Sequence, residues 1–333
     1  MKIAVATLSL AIVAGLVVIA EDEKSVVEIQ LSLELPDGSI LKGQPKNEKL
    51  AIHSQYGLMQ VPLERISRLQ VHPDKEGVSL TLRNRDTVTG VLGSEPLQLE
   101  TLLGPLTVDF EHVKAFSVVR MTPAMKALSK DLILYYSFDQ KGPRVENRVD
   151  QKLNGTSGSA EWIPDGKVGG AYVFDSYKYI TVKDHPALSP EQLTIACWVH
   201  PTSSGSWNGA VMKATAGSWS DGYGLSMYSG DRDNIYFFVN YYSSYRVKAP
   251  IKLKEWAHIA GTFDGNELRI YKNGGLIDTM THNAPLKSNA LDLYIGQGTS
   301  NYPWKGALDE VMILNRALSA DEVNALYGHF AAQ

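Results

Sequence analysis

The sequence predicts an all-β chain of two domains, and three observations carry that expectation. Residues 33–71 slide by 47 positions onto residues 80–118 without a gap, matching Leu33 with Leu80, Gly43 with Gly90, Gly57 with Gly104 and Glu64 with Glu111. From about residue 131 a longer series of short apolar runs follows, punctuated by Gly, Asp, Asn, Ser and Pro as strands and tight turns are. Helical periodicity is confined to the last segment, and 333 residues are too many for one ordinary core.

At the N-terminus, Met1 and Lys2 precede an uncharged run from Ile3 to Ala20, followed by Glu21-Asp22-Glu23. This reads as a secretory signal over residues 1–20, with an uncleaved anchor through residues 3–20 as the alternative, because the run reaches the lower range for spanning a bilayer. The chain is therefore expected to be secreted, periplasmic or at the cell surface. The lone Cys197 excludes acylation at the cleavage site and any intrachain disulfide, so burial of sheet faces must supply the stability. A formal net charge of −4, with both signs interspersed, provides no basic stripe and excludes nucleic acid as an expected partner.

The duplicated domain spans residues 24–120. Each copy opens with an alternating run, "VEIQLSLELPDG" and "VSLTLRNRD", whose apolar residues share one face. A second pair, Leu50 and Ile52 against Leu97 and Leu99, precedes the bends at Gly57 and Gly104. A barrel or a pair of packed meanders is expected, acting as spacer, dimerisation unit or second contact surface. Glu64 and Glu111 sit at equivalent places, as a paired acidic site or simply as solvent-facing ends. His53, His72 and His112 lack ligand spacing, and no metal is expected here. Residues 121–130 break the alternation around Pro123 and form the linker, a tether expected to permit some independent motion.

Within residues 131–330, "HIAGTFDGNELRIYKNGGLIDTMT" alternates through two turns, at Asp264-Gly265-Asn266 and Asn273-Gly274-Gly275, and predicts a three-stranded meander. "LILYYSFD", "AYVFDSYKYITV", "LTIACWVHP", "YGLSMY" and "NIYFFVNYY" read as further strands, the last apolar at odd and even positions and so mostly core. Cys197 falls inside one of them, where a lone cysteine is a small buried hydrophobe. Ser319 and Glu322 make a capping box for a final helix whose apolar face is Val323, Leu326 and Tyr327.

Six segments in order resemble the concanavalin A-like or laminin G-like jelly-roll domains: "LILYYSFDQ", "GGAYVFDSYKYITV", "LTIACWVHP", "LKEWAHIAGTFDGNELRIYKNGGLID", "LYIGQG" and "WKGALDEVMILNRALSADEVNALY". The resemblance covers nearly all of residues 131–327 and implies an antiparallel two-sheet sandwich. It also implies a calcium site, with ligands including Asp139 and Asp309, while Asp175 and Asp264 are weaker candidates next to turns; the competing reading is that Asp139 caps a turn and Asp309 makes a surface hydrogen bond. In this family Trp198, Trp256 and His258 look structural.

The fold leaves function open, since it carries lectins, adhesion domains and glycosidases alike. No Glu-x-Asp-x-x-Glu run is present, and Asp309 and Glu310 are adjacent, so on a regular strand they point to opposite faces. Nucleophile elbow, zinc helix and phosphate loop motifs are also missing, so a non-enzyme is expected. The densest feature is aromatic: Trp207, Trp219, Tyr223, Tyr228, Tyr236, Tyr241, Tyr242 and Tyr245, with Tyr302 and Trp304 further on. Most of these rings are expected to be structural packing. Trp207, Trp219, Tyr302 and Trp304, set among Gly, Ser and Asn, are expected to be exposed and to serve as the ligand-binding residues, because flat rings with polar tips suit the apolar faces of sugars. The expected function is an exported, non-catalytic binding protein recognising a glycan or an extracytoplasmic protein. A protein adhesion or scaffold protein without sugar binding and a divergent glycosidase are the alternatives.

Overall fold

The computed structural model describes residues 28–331 except 75, 85, 94, 102, 205, 206, 216, 218 and 299–301. The segment expected to be a signal or anchor lies outside the described residues. Among those described, no helix is long and apolar enough to cross a membrane.

The first copy of the repeat supplies β1 (Glu28–Glu34), β2 (Ile40–Pro45), β3 (Lys49–Ser54), β4 (Gly57–Pro62) and β5 (Ile66–Val71). The second supplies β6 (Val78–Leu82), β7 (Thr87–Leu92), β8 (Leu97–Thr101), β9 (Gly104–Val108) and β10 (Ala115–Met121). They run in the order β4-β3-β7-β6-β5-β10-β1-β2-β8-β9. Replacing every strand by its counterpart reverses this order, so a pseudo-twofold axis passes between β5 and β10. The copies are interlocked, because β3 pairs with β7 and β2 with β8. The glycine shared by the two copies explains the crossing: a Cβ on Gly90 would lie 2.5 Å from the His53 carbonyl oxygen, and one on Gly43 would lie 3.0 Å from that of Glu100. Leu31, Leu33, Leu50, Ile52, Leu80, Leu97 and Leu99 fill a single core, so the end hairpins fold back over the central strands. Glu64 and Glu111 lie exposed on equivalent 3-10 turns. Asp109, Glu111 and His112 bring ligand atoms within 4.8 Å of one another on the second turn, all of them exposed.

The rest of the chain is the two-sheet antiparallel sandwich that the sequence predicts. One sheet runs Glu161–Ile163, Ala171–Phe174, Gly306–Leu314, Leu193–Pro201, Ala257–Phe263, Glu267–Lys272 and Gly275–Thr281, with Leu132–Tyr136 also paired to Gly306–Leu314. The last three sheet neighbours are the expected meander. The other sheet runs Arg144–Val145, Gly155–Thr156, Ile180–Val182, Leu293–Ile295, Asn208–Lys213, Tyr223–Tyr228, Asp231–Val239 and Arg246–Pro250. Alternation along Leu193–Pro201 turns Ile195, Cys197 and Val199 into the inter-sheet core and Ala196 and Trp198 to the outer face.

That outer face is covered by the C-terminal helix, Ala320–Ala331. Its capping box forms in both directions, Ser319 N–H donating to Glu322 Oε2 at 2.8 Å and Glu322 N–H to Ser319 Oγ at 3.3 Å. Val323, Leu326 and Phe330 then pack over Trp198, Tyr271 and Met312. Met125 and Leu128 of the connector helix, Pro123–Leu128, join the same cluster. The linker is therefore a packed element instead of the loose tether expected from its length, since burying each such side chain stabilises by about 1.5–3 kcal/mol.

Candidate ligand-binding sites

The outer face of the second sheet carries the aromatic cluster. The second half of strand Asp231–Val239 is buried on both sides, with Ile235, Phe237 and Val239 in the inter-sheet core and Tyr236 and Phe238 on the outer face. Trp219 stacks on Phe238 with centroids 5.7 Å apart and an interplanar angle of 11°, and stands edge-on to Trp207 at 5.2 Å and Tyr302 at 5.6 Å. Trp207 also meets Tyr228 at 4.6 Å and Tyr242 at 5.2 Å. The Arg246 guanidinium lies over Tyr242 at 4.5 Å and Tyr236 at 4.9 Å. Asp231 accepts from the Tyr236 hydroxyl at 2.7 Å and from Lys248 at 3.0 Å. Its carboxyl is held below the usual range by hydrogen bonds from Asn234, Tyr236 and Lys248.

Three of the four residues expected to bind a ligand converge here, but the expected exposure is wrong for two of the four. Trp219 is only 3% exposed, because its left-handed backbone (φ 42°) and the bond from Tyr242 N–H to its carbonyl turn the ring down onto Phe238. Trp304 is fully buried on the opposite side of the sheet, inside the inter-sheet core. Its backbone N–H donates to the Gly296 carbonyl, which keeps this segment against the sandwich. Trp207 and Tyr302 are half-buried and form the rim with Tyr228.

A second site lies between the two domains. A partly open cavity of about 460 Å³ is walled by β5, β6, β7 and β10 on one side and by the sandwich and C-terminal helix on the other. Asp139 and Glu310 belong to its wall, and Asp309 lies just behind. Sequence alternation assigned Asp309 and Glu310 to opposite faces, and the structure corrects this. Trp198 pairs with Asp309 while Ala196 pairs with Met312, so one extra residue sits between them as a β-bulge, with Glu310 at φ 50°. Leu308 and Val311 both point into the core, which leaves Asp309 and Glu310 on the same outer side.

Asp309 is fully buried and accepts from Val168 N–H at 2.9 Å and from Glu310 N–H at 2.8 Å. Glu310 accepts from the Tyr135 hydroxyl at 2.7 Å. Burial, reinforced by neighbouring carboxylates, pushes both acids well above the ordinary range. Asp139 follows Phe138, another residue in left-handed backbone (φ 51°), and is also raised by burial. Its side chain is 43% accessible because it faces the partly open cavity. Gly169 gives it room, since a Cβ there would fall 2.2 Å from Asp139 Oδ1. Left-handed backbone outside glycine costs about 1–3 kcal/mol and concentrates at functional sites.

Arg148 crosses the domain boundary. Its guanidinium donates to Ser117 Oγ at 3.1 Å and to Ser137 Oγ at 3.1 Å, and lies 3.5 Å from Asp139. From the duplicated domain Arg68, Arg83 and Arg120 enter the same cavity. Sequence reading missed all four arginines: they are spread over eighty residues, on β5, the turn after β6, β10 and a loop of the sandwich, and no spacing links them.

The laminin G-type family model described as Concanavalin A-like lectin/glucanases superfamily matches residues 174–324. This part of the chain is similar to laminin G-like domains of the concanavalin A-like superfamily. Among solved structures, the binding domain of Botulinum neurotoxin DC in complex with rat synaptotagmin II is similar with TM-score 0.50 and 13% identity, over 61% of this chain and 52% of that one. Domain 4 of AbnA, an extracellular arabinanase from Geobacillus stearothermophilus, in complex with arabinotriose, gives TM-score 0.47 and 22% identity over 59% and 98%. The binding domain of Paraclostridial Mosquitocidal Protein 1 gives 0.49 and 16% over 61% and 53%. The chain spans about half the length of the toxin binding domains it matches. The likeness to the neurotoxin binding domain, at 13% identity, concerns the fold alone. No curated protein matches the chain.

Proposed function

We propose that this chain is an exported, non-catalytic binding protein whose laminin G-like domain recognises a glycan or protein partner through the aromatic rim of its second sheet. The observation that carries this reading is the half-buried trio Trp207, Tyr228 and Tyr302, seated on a rigid bed of buried rings with Asp231, Asn234 and Arg246 alongside. Ring edges supported from below, with hydrogen-bonding groups beside them, suit a sugar's apolar face and hydroxyl rim. Glycan-array binding that disappears in Trp207→Ala while the fold is retained supports the glycan form. Retention of a protein partner with no glycan bound moves the reading to adhesion. Loss of neither in Trp207→Ala removes the rim as the site.

Hydrolysis is the second reading, favoured by Asp139 and Glu310 lining one cavity. Against it, Glu310 is 3% exposed and held by Tyr135, while Asp139 faces Arg148, an arrangement that fixes charges in place. Release of reducing ends from polysaccharide would reinstate it. Calcium, expected at Asp139 and Asp309, finds donors of the right type in these two carboxylates, Asp139 on the wall and Asp309 behind it, since carboxylate oxygens suit a hard cation. Asp139 and Asp309 would hold the ion, whose role would be to offset their repulsion. Chelation then lowers the thermal midpoint, and an unchanged midpoint removes the ion.

A further inference from the structure

Four arginines line the inter-domain cavity against two acids, Asp139 and Glu310. Arg148 has Asp139 at 3.5 Å and Arg68 has Glu34 at 4.0 Å. Arg83 and Arg120 have no carboxylate at ion-pairing distance among the described residues. Both donate to the same acceptor, the Glu64 carbonyl, at 2.9 Å and 3.3 Å, and Arg83 also donates to the Val118 carbonyl at 2.8 Å. Arg120 Nε is buried without a partner.

Two guanidiniums held side by side between domains repel each other, and a buried N–H without an acceptor costs about 1–3 kcal/mol. The titration of their neighbourhood bears this out. Burial and then Arg120 bring Arg83 down to about 10, and burial together with both arginines brings His329 down to about 4. A chain that only needed to close this interface would do better with neutral side chains.

We propose that the inter-domain cavity binds a small acidic sugar, its carboxylate or sulfate group seated between Arg83 and Arg120. Planar guanidinium forks match such oxyanions, and charge-assisted bonds of this kind are about twice as strong as neutral ones. The remaining wall suits a hydroxylated ring: Thr81, Thr87 and Ser117 supply hydroxyls, Asp139 a carboxylate, and Trp162 a flat indole fixed by its bond to the Phe138 carbonyl at 2.7 Å. A volume of about 460 Å³ lies within the range of small-molecule sites, roughly 300–1,000 Å³. This site is separate from the aromatic rim and stands or falls independently of it.

The test is calorimetric titration of the protein containing both domains with D-glucuronate, D-glucose 6-sulfate, D-glucose and inorganic sulfate. Saturable binding of glucuronate or of the sulfated sugar, at least tenfold tighter than glucose and than inorganic sulfate, is expected, and the tighter of the two identifies the anion. Arg120→Met and Arg83→Met should weaken it tenfold or more, Arg83→Lys less, while Trp207→Ala leaves it unchanged. Circular dichroism checks that the variants stay folded. Equal binding of glucose and glucuronate, inorganic sulfate binding as tightly as the sugars, or full affinity in both folded Met variants would each overturn the proposal.

Discussion

The aromatic face and the inter-domain cavity are both dense in residues associated with binding, yet they differ in what folding leaves unpaired among the described residues: neutral atoms, Trp219 Nε1 and the Tyr242 hydroxyl, on the face, and a nitrogen of a charged guanidinium, Arg120 Nε, in the cavity. On the aromatic face, Trp219, Tyr236, Phe238 and Tyr242 spend their faces on neighbouring rings, Arg246 covers three tyrosines, and Asp231 is matched by Asn234, Tyr236 and Lys248. In the cavity, Arg83 and Arg120 share one carbonyl and have no acid at ion-pairing distance among the described residues. The first arrangement stabilises the sheet and leaves only its rim for a ligand. The second retains unspent interaction free energy. Chemical richness alone does not mark a site; the informative quantity is the charge that remains unpaired after folding.

The comparison breaks most readily at Trp219. Trp219→Ala is expected to cost about 3–5 kcal/mol in guanidinium unfolding, the range for removing a buried large aromatic. A loss below about 1 kcal/mol would mean that the rings do not support one another. Arg120→Met is expected to act in the opposite direction, raising stability by about 1 kcal/mol, or a few degrees in the thermal midpoint, because it removes a repulsion and an unpartnered donor. The gain has a defined pH dependence. Burial and then Arg120 bring Arg83 down to about 10, so its charge is penalised throughout the neutral range, and the advantage of Arg120→Met shrinks only as pH rises through 10. A destabilised Arg120→Met would show that its bond to Glu64 outweighs the repulsion.

The smallest effect concerns Asp231. Its folded value lies below 3.8, so the stability it contributes is present above that pH and is lost as pH falls further. Thermal melts between pH 5 and 2 should fall less steeply for Asp231→Asn than for the parent chain. Identical slopes would detach Asp231 from the support of the rim.

Much of the architecture was legible because it is local. The offset of 47 residues announces the repeat, Asp264-Gly265 and Asn273-Gly274 fix the meander turns, and Ser319 with Glu322 starts the last helix. The aromatic concentration was also visible, but not its orientation. Trp304 and Tyr302 are two residues apart, and only the path of the chain decides that one enters the core and the other joins the rim. Alternation failed at Asp309 and Glu310 because a bulge adds one residue, and nothing in "GALDEV" marks it.

The sequence by itself determined the strands, their turns, the buried Cys197 and the class of the sandwich, since turn chemistry and alternation act over a few residues. Tertiary structure alone decided that the repeated copies exchange strands at Gly43 and Gly90, that the connector packs under the C-terminal helix, and that Arg83, Arg120 and Arg148 meet Asp139 in one cavity. Those features depend on contacts between residues far apart in the chain. Their pairing is selected by the fit of whole surfaces, which no local pattern records.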